Sequence, residues 1–424
     1  MRTLANWPEL LHIEKAFLLL ENKILDGVIQ DYRQIHPEAF AWHGWDLIPQ
    51  ARLFSMILPF LRQQVQRASL AMPGLYADRL ERIHAESLHS PEDWHRLPLL
   101  VKDDEPSRGL YGFRQMANLN PLILRPSDST AHSTVAFSSG GSLGNASPTF
   151  MTLADRQREI HAWQRGHAYH GLIPGDSVLY TYNTSHKGGQ WMQESLWTHG
   201  ANVYLRRPEE GPLEVLENIR LFRANALFTV QQPYEALSRE EKAAGINLHT
   251  LIQASLENPK YQGMLLPDSH GWQQVEFIFL GGFSIVPYAL ELVQTYLPDT
   301  PIATLLGSSE AIPQACSTNP RLTPAGLCHH NNLHLLSGPH FIEVVKAEGD
   351  AWVPVRKGER GLLVYTSWAR DGTIWIRYAP GDVATWLLDE GECPCGIFSP
   401  VITDVQRLDP SGRTELLLHG CAAG

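Results

Sequence analysis

The sequence predicts an α/β protein in which parallel or mixed sheets are covered by helices, with a smaller β-rich subdomain further along the chain. Between residues 153 and 307, helical stretches alternate with the short β-prone runs "ANVYL" (201–205), "ANALFTV" (224–230), "VEFIFLGG" (275–282) and "PIATLLG" (301–307). Such alternation builds a parallel sheet, because each crossover has to carry the chain back along one face. From about residue 334 the strands crowd together and read as hairpins. In "LLVYTSWARDGTIWIRYAP" (362–380), Asp371-Gly372 sits between two apolar runs as a turn. A chain of 424 residues, 43% of them hydrophobic, can bury one large α/β unit or several domains. The expected division is a core with N-terminal helices over 1–333, a β-rich subdomain over 334–413 and a tail over 414–424.

Residues 9–34 and 50–68 read as amphipathic helices, the second with Ile57, Leu58, Leu61 and Val65 at helical spacing. In "LHSPEDWHRLPLLVKDD" (88–104), Ser90 precedes Pro91-Glu92-Asp93, a good helix start. A loop-rich stretch to Asp128 leads into a β-run, Thr134 to Phe137, and a glycine-rich segment. A helix follows over 153–170. Pro174-Gly175-Asp176 then turns into the strand "SVLYTYN" (177–183), with further helices over 191–199, 214–224 and 288–296.

The net charge is −11, from 34 Lys+Arg against 45 Asp+Glu, which argues against a nucleic-acid-binding protein. The apolar run near the N-terminus is cut by Glu21 and Lys23, so neither a signal peptide nor a membrane span is expected, and the cytoplasm is the expected compartment. The five cysteines, Cys316, Cys328, Cys393, Cys395 and Cys421, all fall in the last quarter of the chain. In a reducing compartment that clustering points to metal or reactivity before disulfides. Four thiolates, Cys316, Cys328, Cys393 and Cys395, make a candidate closed tetrahedral zinc site; buried reduced thiols are the alternative.

"VAFSSGGSLGNASPT" (135–149) admits several readings. A P-loop needs Lys followed by Ser or Thr after its second glycine, and Asn145-Ala146 follows Gly144 instead. Gly140 to Gly144 fits the nucleophile-elbow pattern with Ser142 as nucleophile, which would make a serine hydrolase. An elbow must open a helix at its serine, however, and Pro148 disfavours helical geometry just before it. A strand-to-strand loop whose hydroxyls and N–H groups wrap phosphates remains, as does a plain glycine turn.

Later motifs narrow the choice: "LGGFSI" (280–285), "LLGSSEA" (305–311), "RYAPGDVATW" (377–386) and "VQRLDPSGR" (405–413). With the glycine segment, in this order, they resemble the adenylate-forming superfamily of acyl-CoA synthetases, adenylation domains and luciferases. The similarity is strongest to the phenylacetate-CoA ligase-like branch and spans roughly residues 52–413. It implies a core that binds ATP and Mg²⁺ and adenylates a carboxylic acid. Ser138, Ser139, Gly140, Gly141, Ser142 and Gly144 would form the phosphate loop, which here lacks the lysine the family usually has. Gly281 and Gly282 would pass the adenine. Gly307, Ser308, Ser309 and Glu310 match the next motif, with Ser309 facing the α-phosphate and Glu310 holding Mg²⁺; Leu306 stands where the family has a tyrosine. Asp382 would accept the ribose hydroxyls, Arg407 would lie near the ribose, and Asp409 matches a hinge residue.

The family's acid-binding helix falls on "YTYNTSHKGGQWMQESLW" (180–197). Tyr182, His186, Gly188, Gly189 and Trp191 are candidates for the pocket wall, with Gln231 and Tyr234 from "FTVQQPYEAL" (228–237). An aromatic acid would suit such a wall. Relatives of that branch carry a Cys/His zinc site at matching places, where Cys328 would replace a histidine or His329 would serve.

Residues 410–424 are all that follow Asp409, so the family's lid domain and its lysine are expected to be missing. This resembles the acyl-protein synthetases of bacterial bioluminescence and the adenylating protein EhpF of phenazine-antibiotic clusters. The implied product is an acyl-AMP passed to a partner protein, a reductase or a thiol such as Cys421, in secondary-metabolite biosynthesis. A non-catalytic nucleotide- or aryl-acid-binding relative is the other reading.

Overall fold

The computed structural model describes residues 48–407 except 81–84, 104–109, 128–133, 139–147, 183, 185–186, 208, 231–245, 263–274, 282–286, 309, 312–313, 319–330, 337 and 396. The helix expected over 9–34 lies outside these residues. The next begins the described chain as α1 (Gln50–Ala71), which buries Phe54, Ile57, Leu61 and Val65 on one face. After α2 (Pro73–Leu80), Ser90 caps α3 (Pro91–His95) in a reciprocal capping box with Asp93, as its spacing predicts. Two short parallel strands, β1 (Leu100–Val101) and β2 (Tyr111–Gly112), and helix α4 (Arg114–Leu119) follow.

Strands β3 (Thr134–Ser138) and β4 (Pro148–Thr152) pair antiparallel, with Ser138 opposite Pro148. The glycine-rich segment therefore joins two strands. A nucleophile elbow needs a strand running straight into a helix, so the hydrolase reading with Ser142 is corrected here. Helix α5 (Leu153–Tyr169) starts only after β4, capped by Thr152 and Asp155.

The parallel sheet is built from β5 (Ser177–Tyr180), β6 (Asn202–Leu205), β7 (Ala226–Val230), β8 (Phe277–Gly281) and β9 (Ile302–Ala303), in the order β6-β5-β7-β8-β9. Helices α6 (Lys187–His199), α7 (Pro212–Leu221), α8 (Leu248–Glu257), α9 (Pro259–Gln262) and α10 (Pro287–Tyr296) lie between these strands in the chain. Strands covered on both faces need apolar residues throughout, and Val178, Leu179, Leu227, Phe228, Ile278 and Phe279 are all buried. Strand order reverses between β5 and β7. That is where an open α/β sheet leaves a crevice beyond its carboxyl ends.

The second sheet has eight strands: β10 (Leu305–Leu306), β11 (Ala315–Cys316), β12 (Leu333–Leu335), β13 (His340–Glu348), β14 (Ala351–Pro354), β15 (Arg360–Ser367), β16 (Asp382–Leu388) and β17 (Val401–Arg407). Its order is β10-β11-β12-β17-β16-β15-β13-β14, so it takes strands from both sides of residue 334. One large apolar cluster joins α1 to this sheet through Phe54, Phe341, Leu363 and Ile402. Together the two sheets give the α/β core with a β-rich part that the sequence predicts. No helix among the described residues is long and apolar enough to cross a membrane.

The expected hairpin turn at Asp371-Gly372 does not form as a two-residue turn. The chain returns to β15 through a wider loop, with Ser367 donating to the Trp375 carbonyl at 2.8 Å and Tyr365 and Tyr378 exchanging N–H···O bonds of 3.0 and 2.9 Å. Within that loop the N–H groups of Asp371 and Gly372 donate to the two carboxylate oxygens of Asp155, at 2.8 and 2.9 Å. A carboxylate accepting two N–H groups outcompetes the local turn. Gly372 is needed for close approach: a Cβ there would stand 2.1 Å from the carbonyl oxygen of Phe150.

Candidate active site

Glu310 lies just past β10, in a turn closed by reciprocal Ser308–Ala311 backbone bonds of 2.9 and 3.1 Å. Its side chain is 3% exposed. Three side chains converge on Glu310. Lys102, directly after β1, brings Nζ to 3.9 Å from Oε1; the Tyr378 hydroxyl approaches the same oxygen at 3.4 Å; and Nη1 of Arg370 donates to the Glu310 backbone carbonyl at 2.6 Å. Strand β1 holds Lys102 there because Leu100 bonds the Arg377 carbonyl and accepts from Ala379, both at 2.9 Å.

Asp382 opens β16 directly opposite Arg407 at the end of β17. The guanidinium grips its carboxylate, with Nε 2.5 Å from Oδ1 and Nη2 3.0 Å from Oδ2. Burial raises the Asp382 pKa, and the negative field of Glu310 adds to that, against the pull of Arg407 and Lys102. Burial and Glu310 likewise push Tyr378 well above its ordinary value. Two buried carboxylates that feel each other's charge, beside two cations, suit a ligand carrying both a divalent cation and anionic groups. ATP–Mg²⁺ fits this donor set: Glu310 would hold the metal, and Asp382 keeps lone pairs for hydroxyls besides those engaged by Arg407.

At the carboxyl end of β8, Gly281 donates its N–H to the hydroxyl of Tyr182, which follows β5. A Cβ on Gly281 would meet the Phe279 ring at 2.8 Å and the Tyr182 oxygen at 3.1 Å. Only glycine lets the backbone pass this close. Tyr182, Tyr180 and Phe279 form an aromatic group, with ring centroids 5.6 and 6.3 Å from Tyr182. On α6, Gly189 accepts from the Tyr180 hydroxyl at 2.5 Å, and Gly188 lies one residue before it. Trp191 is fully buried, edge-on to Phe137 of β3 at 5.2 Å, so it packs against the end of that strand.

Thus Tyr182, Gly188, Gly189, Trp191, Gly281, Gly307, Ser308, Glu310, Asp382 and Arg407 are placed, and Ser138 closes β3. Ser139, Gly140, Gly141, Ser142, Gly144, His186, Gln231, Tyr234, Gly282, Ser309, Cys328, His329, Asp409 and Cys421 lie outside the described residues. Lys102, Tyr378 and Arg370 belong to the cluster without having been singled out in sequence. Each sits inside a quoted motif, "LLVKDD", "RYAPGD" or "SWARDG", where a charged or hydroxylated residue interrupts an apolar run.

Two of the four expected thiols come together with a histidine that the sequence reading did not include, and Cys328 lies outside the described residues. Cys393, Cys395 and His334 are buried, and their donor atoms all lie within 4.8 Å of one another. His334 Nε2 is 3.2 Å from Cys395 Sγ, and Nδ1 is 2.8 Å from the Ser399 carbonyl oxygen. That carbonyl can only accept, so Nδ1 carries the proton and Nε2 presents a lone pair towards the thiols. Two thiols and an imidazole so arranged fit Zn²⁺. Cys316 is buried opposite His334 on the neighbouring strand and is not one of these three. Counting cysteine spacings could not reveal a histidine supplied by β12.

Among solved structures, 2-hydroxyisobutyryl-CoA ligase matches in three states. In its open conformation with 2-HIB-AMP and CoA, the TM-score is 0.64 at 18% identity, covering 84% of this chain and 74% of the ligase. This is the fold of an acyl-CoA ligase. The thioesterification state of the same enzyme gives 0.64 at 19% identity, with coverages of 85% and 69%. The postadenylation state with 2-HIB-AMP gives 0.62 at 18%, with coverages of 83% and 66%. No protein-family model and no curated protein sequence matches the chain.

Proposed function

We propose that the protein uses ATP and Mg²⁺ to convert a carboxylic acid into an acyl-AMP and passes the acyl group to a partner protein, a reductase or a thiol. The observation that carries this reading is the meeting of two buried carboxylates, Glu310 and Asp382, with the cations Lys102 and Arg407. A carboxylate is a poor electrophile and repels the triphosphate it must attack. Activation therefore depends on aligning two anions while cations and N–H dipoles absorb charge. The cluster offers Lys102 and Arg407 as fixed cations and Glu310 as a metal carboxylate. The acid's carboxylate oxygen would attack the α-phosphorus, and pyrophosphate would leave. In support, a chain of this fold, 2-hydroxyisobutyryl-CoA ligase, holds 2-HIB-AMP and CoA.

The aromatic group of Tyr180, Tyr182 and Phe279 at the sheet's carboxyl end favours an aromatic acid. An antibiotic pathway is the setting that the sequence resemblance suggests. Zn²⁺ on His334, Cys393 and Cys395 would be structural, fixing the β16–β17 connection at the end of the strand pair away from Asp382 and Arg407.

Pyrophosphate release with ATP, Mg²⁺ and a panel of benzoate, salicylate, phenylacetate and 2-hydroxyisobutyrate tests the reading, with hydroxylamine trapping the acyl-AMP as hydroxamate. Acid-dependent pyrophosphate and hydroxamate are expected, more with the aromatic acids. ATP binding without either product would instead make the protein a nucleotide binder.

A further inference from the structure

Lys187 is fully buried at the first position of α6. Its Nζ lies 3.0 Å from Glu159 Oε2 and 4.4 Å from the Trp191 ring centroid. Glu159, on α5, also accepts from Nη2 of Arg370 and faces His340 Nε2 of β13 at 3.3 Å. The other terminal nitrogen of Arg370 donates to the Glu310 carbonyl. One unbroken set of polar contacts thus runs from the helix of the candidate acid pocket to the backbone of the residue whose carboxylate would hold the metal. On its other side Trp191 abuts Phe137, at the start of the glycine segment.

Buried ion pairs are a poor way to stabilise a core, since apolar residues of similar volume often do as well or better. Here one carboxylate is shared by two buried cations, which apolar packing alone would not call for. Burial would raise the Glu159 pKa, yet Lys187 and Arg370 hold it below its ordinary value, so the carboxylate stays charged.

We propose that Lys187 is a positioning residue for acid activation: through Glu159 and Arg370 it fixes the backbone at Glu310 relative to helix α6. This rests on the acid-activating reading of the site. Loss of the lysine would let the Glu310 turn shift against the acid and the phosphates, and misplacements of this kind are costly even when the altered group touches no substrate.

The test compares K187M, K187R and R370K in the pyrophosphate assay, using the aromatic acid that the wild type turns over best. K187M leaves Glu159 paired with Arg370. In K187M, kcat is expected to fall about 10- to 100-fold and the half-saturating Mg²⁺ concentration to rise about threefold or more, with KM for ATP changed less than about twofold. K187R is expected to restore most of kcat. R370K keeps a charge at Glu159 but cannot also span to the Glu310 carbonyl, and is expected to repeat the Mg²⁺ shift; it decides the matter should K187M lose its fold. A merely structural role would lower the melting temperature and leave the Mg²⁺ dependence unmoved. Wild-type Mg²⁺ dependence and kcat in the folded variants would overturn the role alone. A wild-type chain that releases no pyrophosphate and forms no hydroxamate would overturn the acid-activating reading and this role together.

Discussion

Arg407 holds Asp382 through two nitrogens across the β16–β17 pair, and Glu310 lies close enough to push the Asp382 carboxyl up. A carboxylate fixed in this way cannot turn aside to avoid a ligand and retains lone pairs for two hydroxyls. In D382A, ATP affinity is expected to drop by about 1.5–3 kcal/mol, the range for a hydrogen bond to a charged group. Calorimetric titration with a non-hydrolysable ATP analogue checks it. Wild-type affinity would remove Asp382 from the nucleotide site.

Glu310 makes a different kind of contact, so its variant should fail differently. In E310Q the charge that would hold Mg²⁺ is gone while the amide preserves the shape. Pyrophosphate release is expected to fall about 100-fold, as for loss of one preorganised electrostatic group, with little change in melting temperature. A Mg²⁺ titration in which E310Q matches the wild type would exclude a metal role.

Two thiols and an imidazole meeting in a buried space predict that zinc copurifies at one ion per chain when no chelator is used. Elemental analysis decides this. C393S is expected to lose the ion and several degrees of melting temperature, because the remaining ligands lose their shared metal. H334A is expected to do the same, whereas C316S should keep the ion. Zinc retained in H334A would restore the thiol-only site.

The parallel sheet was legible because its strands are short apolar runs bounded by Gly, Pro and Asn, a pattern that needs no distant partner. The Asp371-Gly372 turn was not: the carboxylate that captures its N–H groups belongs to Asp155, 216 residues away from Asp371 in the chain. Asp382, Arg407 and Glu310 stood out through motif order. Lys187, Glu159 and Arg370 did not, since charged residues on amphipathic segments read as solvated until the fold buries them together. His334 escaped for a related reason. It lies in an ordinary apolar strand, "LHL", and gains meaning only when Cys393 and Cys395 fold back beside it.

The buried histidines carry the last prediction. Burial lowers His170 to about 4, only partly opposed by its bond to the Thr304 carbonyl. His340 also falls to about 4, burial outweighing the hydrogen bond to Glu159. In the unfolded chain both would titrate near 6.5. Between about pH 6.5 and 4 the unfolded state therefore binds more protons, so stability is complete above 6.5 and falls as pH drops through that window. Each histidine removes about 1.4 kcal/mol per pH unit, hence roughly 2 kcal/mol between pH 7 and 5. His167, pushed well below its ordinary value by burial and by His199 and His170, adds in the same direction. Urea unfolding at pH 7, 6 and 5 should show the midpoint fall steeply on the acid side. H170Q removes one titrating group and keeps an amide donor for the Thr304 carbonyl, so its loss of stability between pH 7 and 5 should be smaller by roughly 2 kcal/mol. A wild-type midpoint that stays level from pH 7 to 5 would mean that these histidines are not held neutral in the fold.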